Sequence, residues 1–413
     1  MSATLQGIKV LDLSRVLAGP WATQLLGDFG ADVVKIERPG QGDDTRRWGP
    51  PWLGGEQGES AYFLSTNRNK RSMEIDFSIP DGARLIREMA QKADVVVENF
   101  RAGSLQRYDL GEASLRGANP RLIYCSVSAF GQRGCRRSEP GYDAMIQASG
   151  GLMSITGPAD AEGGGPQKVG VAIADIMTGM YAATAILAAL RHRDISGHGQ
   201  YIDVPLYDSQ VAWLANQNMN YLVGGVIPER RGTAHPNIVP YQVFPTRDGY
   251  LMLTVGNDEQ FAHCAKVLEH PDLATDVRYS TNAARVRNRD QLVRTMRSVF
   301  LTRDTATWLS ALSEAGVPSG PINNIQQVFE SEYAREQELV RSLSHPLDDA
   351  LPTVANPIRF SDTPVRYAQA PPLLGQHTDE VLAEWLGYSA AAIAELRESG
   401  AIQSNQETAD LAK

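Results

Sequence analysis

Cysteine is scarce in this chain of 413 residues. There are three, Cys125, Cys135 and Cys264, widely spaced and without a CxxC pair. An odd, scattered set excludes a disulfide framework and a thiolate zinc site, and it fits a reducing cytoplasm. Positive charge is also in the minority, with 39 Lys+Arg against 48 Asp+Glu and a formal net charge of −9. The broad basic footprint demanded by nucleic acid or an anionic membrane is therefore missing. The most apolar stretch, Ile176 to Leu190, spans about 15 residues against the roughly 20 that a bilayer requires, and Asp175 heads it. The start, MSATLQGIKVLDL, lacks the basic beginning and long apolar core of a signal peptide. GxGxxG after a strand, GxxxxGK[ST], GxSxG and HExxH are all absent, so dinucleotide, P-loop, serine-hydrolase and zincin readings lose their main support. The seven histidines are scattered, and His263 and His270 have no carboxylate at ligand spacing, so no metal is expected.

What is present reads as an α/β protein. Ile8 to Leu13 and Ala31 to Ile36 are apolar strands around a helix from Pro20 to Gly30, which has Pro at its start and Gly at its end. Asp81 to Lys92 carries Ala83, Leu85, Ile86 and Met89 at helical spacing and precedes strands at Asp94 to Glu98 and Leu122 to Val127. Repeated strand-helix-strand units imply a parallel sheet with helices on both faces. Ala172 to Arg193 reads as one long helix and Asp208 to Tyr221 as another. Beyond a Gly/Pro/Arg-rich stretch, Gly224 to Pro240, the texture changes to two strands and three helices. The expected plan is a large Rossmann-like domain over 1–205, a helical connection over 206–224 and a smaller α+β domain over 225–330. A polar linker and a return of the chain to the large domain then occupy 331–413.

Three features carry chemistry. Asp175 lies in VGVAIADIMTGM, among apolar and small neighbours where a lone carboxylate is costly to desolvate. It is either the N-cap of the long helix or a group kept for its reactivity, such as an acyl-accepting nucleophile, and the two roles are compatible. Cations gather beside predicted strand ends: Arg38, the run Asn67-Arg68-Asn69-Lys70-Arg71, and Asn99-Phe100-Arg101 with Arg107 beyond. In an acidic chain this grouping points to an anionic ligand, Arg meeting phosphate and Phe100 a base. The loop Arg231-Gly-Thr-Ala-His235-Pro-Asn-Ile-Val-Pro240-Tyr241 is either a structural turn or a wall of the site. Gly163-Gly164-Gly165-Pro166 reads as a surface loop.

Taken in order, the chain resembles the class III CoA-transferases, the formyl-CoA transferase and carnitine CoA-transferase family. The likeness runs nearly end to end: VLDLSRVLAGPWATQLLGDFGADVVKIERPGQGD (10–43), NKRSMEIDF (69–77), ADVVVENFRAGSLQR (93–107), GYDAMIQASGG (141–151), IADIMTG (173–179), GHGQYIDVPLYDS (197–209), GVPSGPINNIQQVF (316–329) and LLGQHTDEVLAEWLG (373–387). The resemblance makes Asp175 the nucleophile that carries the acyl group and then CoA. It implies CoA contacts at Arg38, Asn99, Phe100 and Arg107, with Val16, Leu17 and Ala18 lining the entry beside the nucleophile, and the basic run adds Lys70 and Arg71 to the expected CoA site. CoA arrives as the thioester substrate, with no permanently bound cofactor and no metal.

Where formyl-CoA transferases have Gln, this chain has Leu17, and HPNIVPY stands where they have a glycine-rich loop. Both departures count against formyl and oxalyl specificity, and the HPNIVPY loop resembles that of family members that move CoA between succinyl-CoA and dicarboxylic acids such as glutarate or hydroxymethylglutarate, so the resemblance implies that donor and that class of acceptor. Arg46, Arg47, Tyr142 and His235 are then candidates to hold the acid. The related α-methylacyl-CoA racemases carry a GHD motif where this chain has Gly141-Tyr142-Asp143, and a Tyr is a poor proton-exchange base at neutral pH. A non-catalytic CoA-binding protein is the third reading. The resemblance also implies an interlocked homodimer.

Overall fold

The computed structural model describes residues 3–56 and 58–403. Residues 404–413, the end of the predicted return segment, lie outside the described residues. The chain divides into two compact units, one of residues 1–150, 170–218 and 335–413, the other of residues 151–169 and 219–334.

The larger unit is built on a seven-stranded sheet. Its parallel strands are β1 (Lys9–Asp12), β2 (Asp32–Glu37), β3 (Lys70–Ile75), β4 (Val95–Glu98), β5 (Ile123–Ser128) and β6 (Tyr201–Pro205), in the spatial order 3-2-1-4-5-6. A short strand, Ile402–Gln403, adds antiparallel to the β3 edge. Alternate residues feed opposite faces, as strand geometry requires: Leu11 and Val96 join one apolar cluster, Val10, Val95 and Val97 the other. The first face is covered by α2 (Pro80–Lys92) and by the C-terminal segment through Val381, Leu382, Trp385 and Leu396. The second is covered by α1 (Ala18–Asp28) and by α4 (Ile173–Ser196) through Ala182, Ala183, Ile186 and Ala189. Helix α4 is long and apolar enough to cross a membrane by length and composition, yet these positions lie in the core. Between α2 and α4 runs the short helix α3 (Asp143–Ser149).

Several elements depart from the sequence expectation. Strand β3 begins at the basic run itself, which reads as a charged surface when only polarity is counted. The single helix expected over Asp208 to Tyr221 is two, Leu206–Trp213 and Asn216–Gly224, because Ala215 between them takes a left-handed φ of 48° that no continuing helix tolerates. The stretch read as a polar linker contains a hairpin, Val340–His345 with Asp348–Val354.

The smaller unit has a three-stranded antiparallel sheet of Tyr241–Pro245, Tyr250–Thr254 and Ser319–Pro321. Helices Asp258–Val267, Arg289–Phe300 and Thr305–Glu314 pack on it around Phe244, Phe261, Met296, Phe300 and Trp308. It also contains residues 151–169, which lie outside the 225–330 range of the sequence expectation. Gly232 N donates to Gly157 O at 2.9 Å, and Arg230 donates to Ser154 O at 3.5 Å and to Asp160, which ties that segment in.

Candidate active site

In a sheet of order 3-2-1-4-5-6 the chain leaves β1 in one direction and β4 in the other, so a crevice opens beyond their carboxyl ends. A cavity of about 240 Å³ lies there. The loop after β1 lines it with Arg15, Val16, Leu17 and Ala18, and the loop after β4 with Asn99 and Phe100; Tyr142 and Asp175 complete the wall.

Asp175 is the third residue of α4, and its side chain does not cap the helix. Asp143, at the start of α3, does that from a distance: its Oδ1 accepts Ala174 N at 2.8 Å and Asp175 N at 3.4 Å, and its Oδ2 accepts Gln147 Nε2 at 2.6 Å. Because the cap comes from elsewhere in the chain, the Asp175 carboxylate is left without a hydrogen-bond donor among the described residues. Burial, and then the negative charge of Asp143, push its pKa up to about 7. The Tyr62 phenol is pushed up to about 12 by burial and by the charges of Asp175, Asp143 and Asp43. A carboxylate without donors and poorly solvated is more nucleophilic than one dissolved in water.

A second cavity, of about 300 Å³, lies beyond the ends of β2 and β3. Arg38 and Arg107 stand on its exposed rim, and neither forms an ion pair among the described residues. Its apolar side is aromatic: Phe77 meets Phe100 and Tyr108 edge to face, each at 5.7 Å between ring centres. Two cations beside a cluster of aromatic rings suit a phosphorylated nucleotide portion of a ligand. Arg15 and Phe100 line both cavities, which therefore adjoin. A third cavity, of about 420 Å³, has Arg101, Arg133 and Arg137 at its edge and the buried Glu98, pushed up to about 7 by desolvation, within.

Other expected site residues are placed differently. Lys70 is wholly buried, and its Nζ donates to Asp12 Oδ2 (3.2 Å), Pro20 O (2.9 Å) and Asn67 Oδ1 (2.9 Å). Arg71 is held by Asp32, Glu380 and Glu384. Arg46 lies between Glu37 and Glu59, with N–O distances of 2.7 Å to each, and stacks 3.6 Å over the Phe63 ring. These three cations line none of the cavities and are committed to the scaffold, since strand β3 and the loop after β2 turn them inward. Arg47 is exposed, outside the three cavities. Asn99 lines the first cavity, but its amide is engaged with the backbone of Arg15 on both sides. His235 belongs to the smaller unit, where its Nδ1 accepts Asn237 N at 3.1 Å and its ring lies 5.3 Å from that of Tyr241. Burial and the Arg289 cation lower its pKa.

Sequence reasoning missed Asp143 as the cap, as well as Arg15, Arg133 and Arg137. The last two stand in the basic loop Arg133-Gly-Cys-Arg-Arg137, a few residues beyond the strand predicted at Leu122 to Val127, where the strand-end argument applied to Arg38 and Arg107 would have found them.

Comparison with known proteins agrees with this architecture. A profile of CoA-transferase family III matches residues 5–378. The succinate–glutarate CoA-transferase of Agrobacterium fabrum is 48% identical over 383 residues, covering 92% of this chain and 95% of that protein. The succinyl-CoA:glutarate CoA-transferase of Mus musculus is 45% identical over 402 residues, 97% and 91% of the two chains. Among solved structures, a CAIB/BAIF family protein from Brucella suis superimposes with a TM-score of 0.82 at 43% identity, over 93% of this chain and all of that one.

Proposed function

The chain belongs to CoA-transferase family III, and on that premise we propose that it moves CoA from succinyl-CoA to glutarate or a closely related dicarboxylic acid, with Asp175 as covalent carrier. The observation that carries the reading is the Asp175 carboxylate, unpaired and desolvated in the cavity at the crevice of the sheet while Asp143 caps its helix. The names of the relatives support the substrates.

In this mechanism Asp175 attacks the succinyl thioester carbonyl, the C–S bond breaks, and a mixed anhydride and CoA thiolate form. The thiolate attacks the Asp175 carbonyl of the anhydride, so succinate leaves and an aspartyl-CoA thioester remains. Glutarate attacks that thioester, giving a second anhydride and thiolate again. The thiolate then attacks the glutaryl carbonyl, and glutaryl-CoA departs with Asp175 restored. Thioester energy is conserved throughout, provided water is kept from both anhydrides. Arg38 and Arg107 hold the CoA phosphates in this reading, Phe100 guides the ligand between cavities, and Val16, Leu17 and Ala18 border the reacting carbonyl. Tyr142, exposed on the cavity wall, is the candidate in this unit for the acid's distal carboxylate. The working unit is a homodimer in a reducing cytoplasm; the resemblance supports the first, and three free cysteines, two of them buried, the second.

The test is a mass-spectrometric screen of succinyl-CoA against mono- and dicarboxylic acids. Glutaryl-CoA should dominate, and Asp175→Ala should abolish transfer while retaining fold and CoA binding. Hydroxylamine added with succinyl-CoA should convert Asp175 to a hydroxamate, and labelling at another residue overturns the assignment. Deuterium entering the α-carbon of a 2-methylacyl-CoA would instead make the protein a racemase.

A further inference from the structure

The loop after β1 forms part of the Asp175 cavity, and its backbone is held almost entirely by side chains. Ser14 N donates to Asp12 Oδ1 (2.9 Å), and Ser14 O accepts from Lys35 Nζ (2.8 Å). Arg15 N donates to Asn99 Oδ1 (2.8 Å), Arg15 O accepts from Asn99 Nδ2 (2.6 Å), and Val16 N donates to both Asp43 oxygens (3.2 Å each). Asp43 and Lys35 in turn pair at 2.9 Å, both side chains fully buried. The clamp holds an unfavourable conformation: Val16 has φ +71°, and a β-branched side chain there is strained by about 1–3 kcal/mol, so surrounding contacts must over-determine it.

The strained turn is also packed directly against the helix that carries Asp175. A Cβ on Gly179, one turn beyond Asp175, would lie 2.6 Å from Ala18 O, and a Cβ on Gly19 would lie 2.3 Å from the Ser14 side chain. There is no slack between the loop, the start of α1 and the first turns of α4. A shift of the loop therefore either moves Asp175 or removes the wall beside it.

From this arrangement we infer that Asp43 and Lys35 are positioning residues for acyl transfer: their buried ion pair pins Val16 in its left-handed conformation and so sets the cavity wall against Asp175. The inference rests on Asp175 being the reacting carboxylate, and hydroxamate mapping on the wild-type protein tests that premise separately. Lys35 and Asp43 also border the Arg38–Arg107 cavity, but both are taken up by each other and by the Ser14 and Val16 backbone, so KM for succinyl-CoA is the readout that separates loop positioning from a role in that cavity. Asp43→Asn should lower kcat about 100-fold while changing KM for succinyl-CoA less than about threefold. Lys35→Met/Asp43→Asn, which leaves no unpaired buried ion, should fold as judged by circular dichroism and thermal melting and show the same kcat loss. Glycine adopts φ +71° without a clamp, so Val16→Gly added to either variant should restore kcat at least tenfold. A folded Lys35→Met/Asp43→Asn protein with kcat within threefold of wild type overturns the inference, and so does a Val16→Gly substitution that restores nothing. An equal loss in KM would do the same, since it would make the pair a general support for ligand binding.

Discussion

Two populations of cations share the larger unit. Lys35, Lys70, Arg46 and Arg71 sit inside it, each against carboxylates, whereas Arg38, Arg101 and Arg107 stand on the rims of cavities without ion partners among the described residues. The cations of the inner set have lost water and require their carboxylates: against the cost of burial, Lys70 and then Lys35 keep Asp12 below the ordinary carboxylate range, Lys35 does so for Asp43, and Arg46 for Glu37. The rim set retains water and remains available to a ligand. Charge alone does not mark a binding residue; an unsatisfied charge beside a cavity does.

That contrast can be broken by experiment, beginning with the largest effect. Arg46→Ala leaves Glu37 and Glu59 buried together, and it should destabilise the protein by about 3–5 kcal/mol. An unchanged denaturation midpoint would show that the inner cations are dispensable. Gly179→Ala, which drives a methyl group into the Ala18 carbonyl, should cost about 1–3 kcal/mol and depress kcat as well, because the same contact seats Asp175. Arg38→Ala and Arg107→Ala should behave in the opposite way. Stability should change by no more than about 0.5 kcal/mol, while KM for succinyl-CoA rises about tenfold or more through loss of a charge-assisted bond.

A smaller effect comes from Asp175 itself. Its folded pKa, about 7, lies above the unfolded value, so the folded state loses stability as pH rises from about 4 to 7 while its nucleophilicity increases. Transfer should show an acid limb near pH 7, and Asp175→Asn should gain about 1 kcal/mol in melts at pH 8 and little at pH 4. Asp143→Asn retains an acceptor for the helix cap but removes the like charge, so the acid limb should move to lower pH. The smallest change is expected at the exposed pair Arg15–Asp44, where Asp44→Ala should alter stability by no more than about 0.5 kcal/mol.

Much of the sheet was legible in the sequence because β1, β2, β4 and β5 are apolar on both faces, the pattern of buried parallel strands. Strand β3 was not, since Lys70-Arg71-Ser72-Met73-Glu74-Ile75 is mostly polar and its partners, Asp12, Asp32, Glu37 and Glu380, are scattered along the chain. Asp175 was legible as a carboxylate out of place, with cap and nucleophile both open. Only the arrival of Asp143 at the helix N-terminus separated the two roles.

By itself the sequence determined the α/β class, the family and the residue worth suspecting, because burial periodicity and a long ordered set of motifs are local in the chain. Tertiary structure decided which charges are neutralised and which remain free. The energy of a charge depends on the water and counter-charges within a few ångströms, and several of those neighbours lie tens to hundreds of residues away: Arg68 against Asp28, Arg71 against Glu384, Lys70 against Asp12.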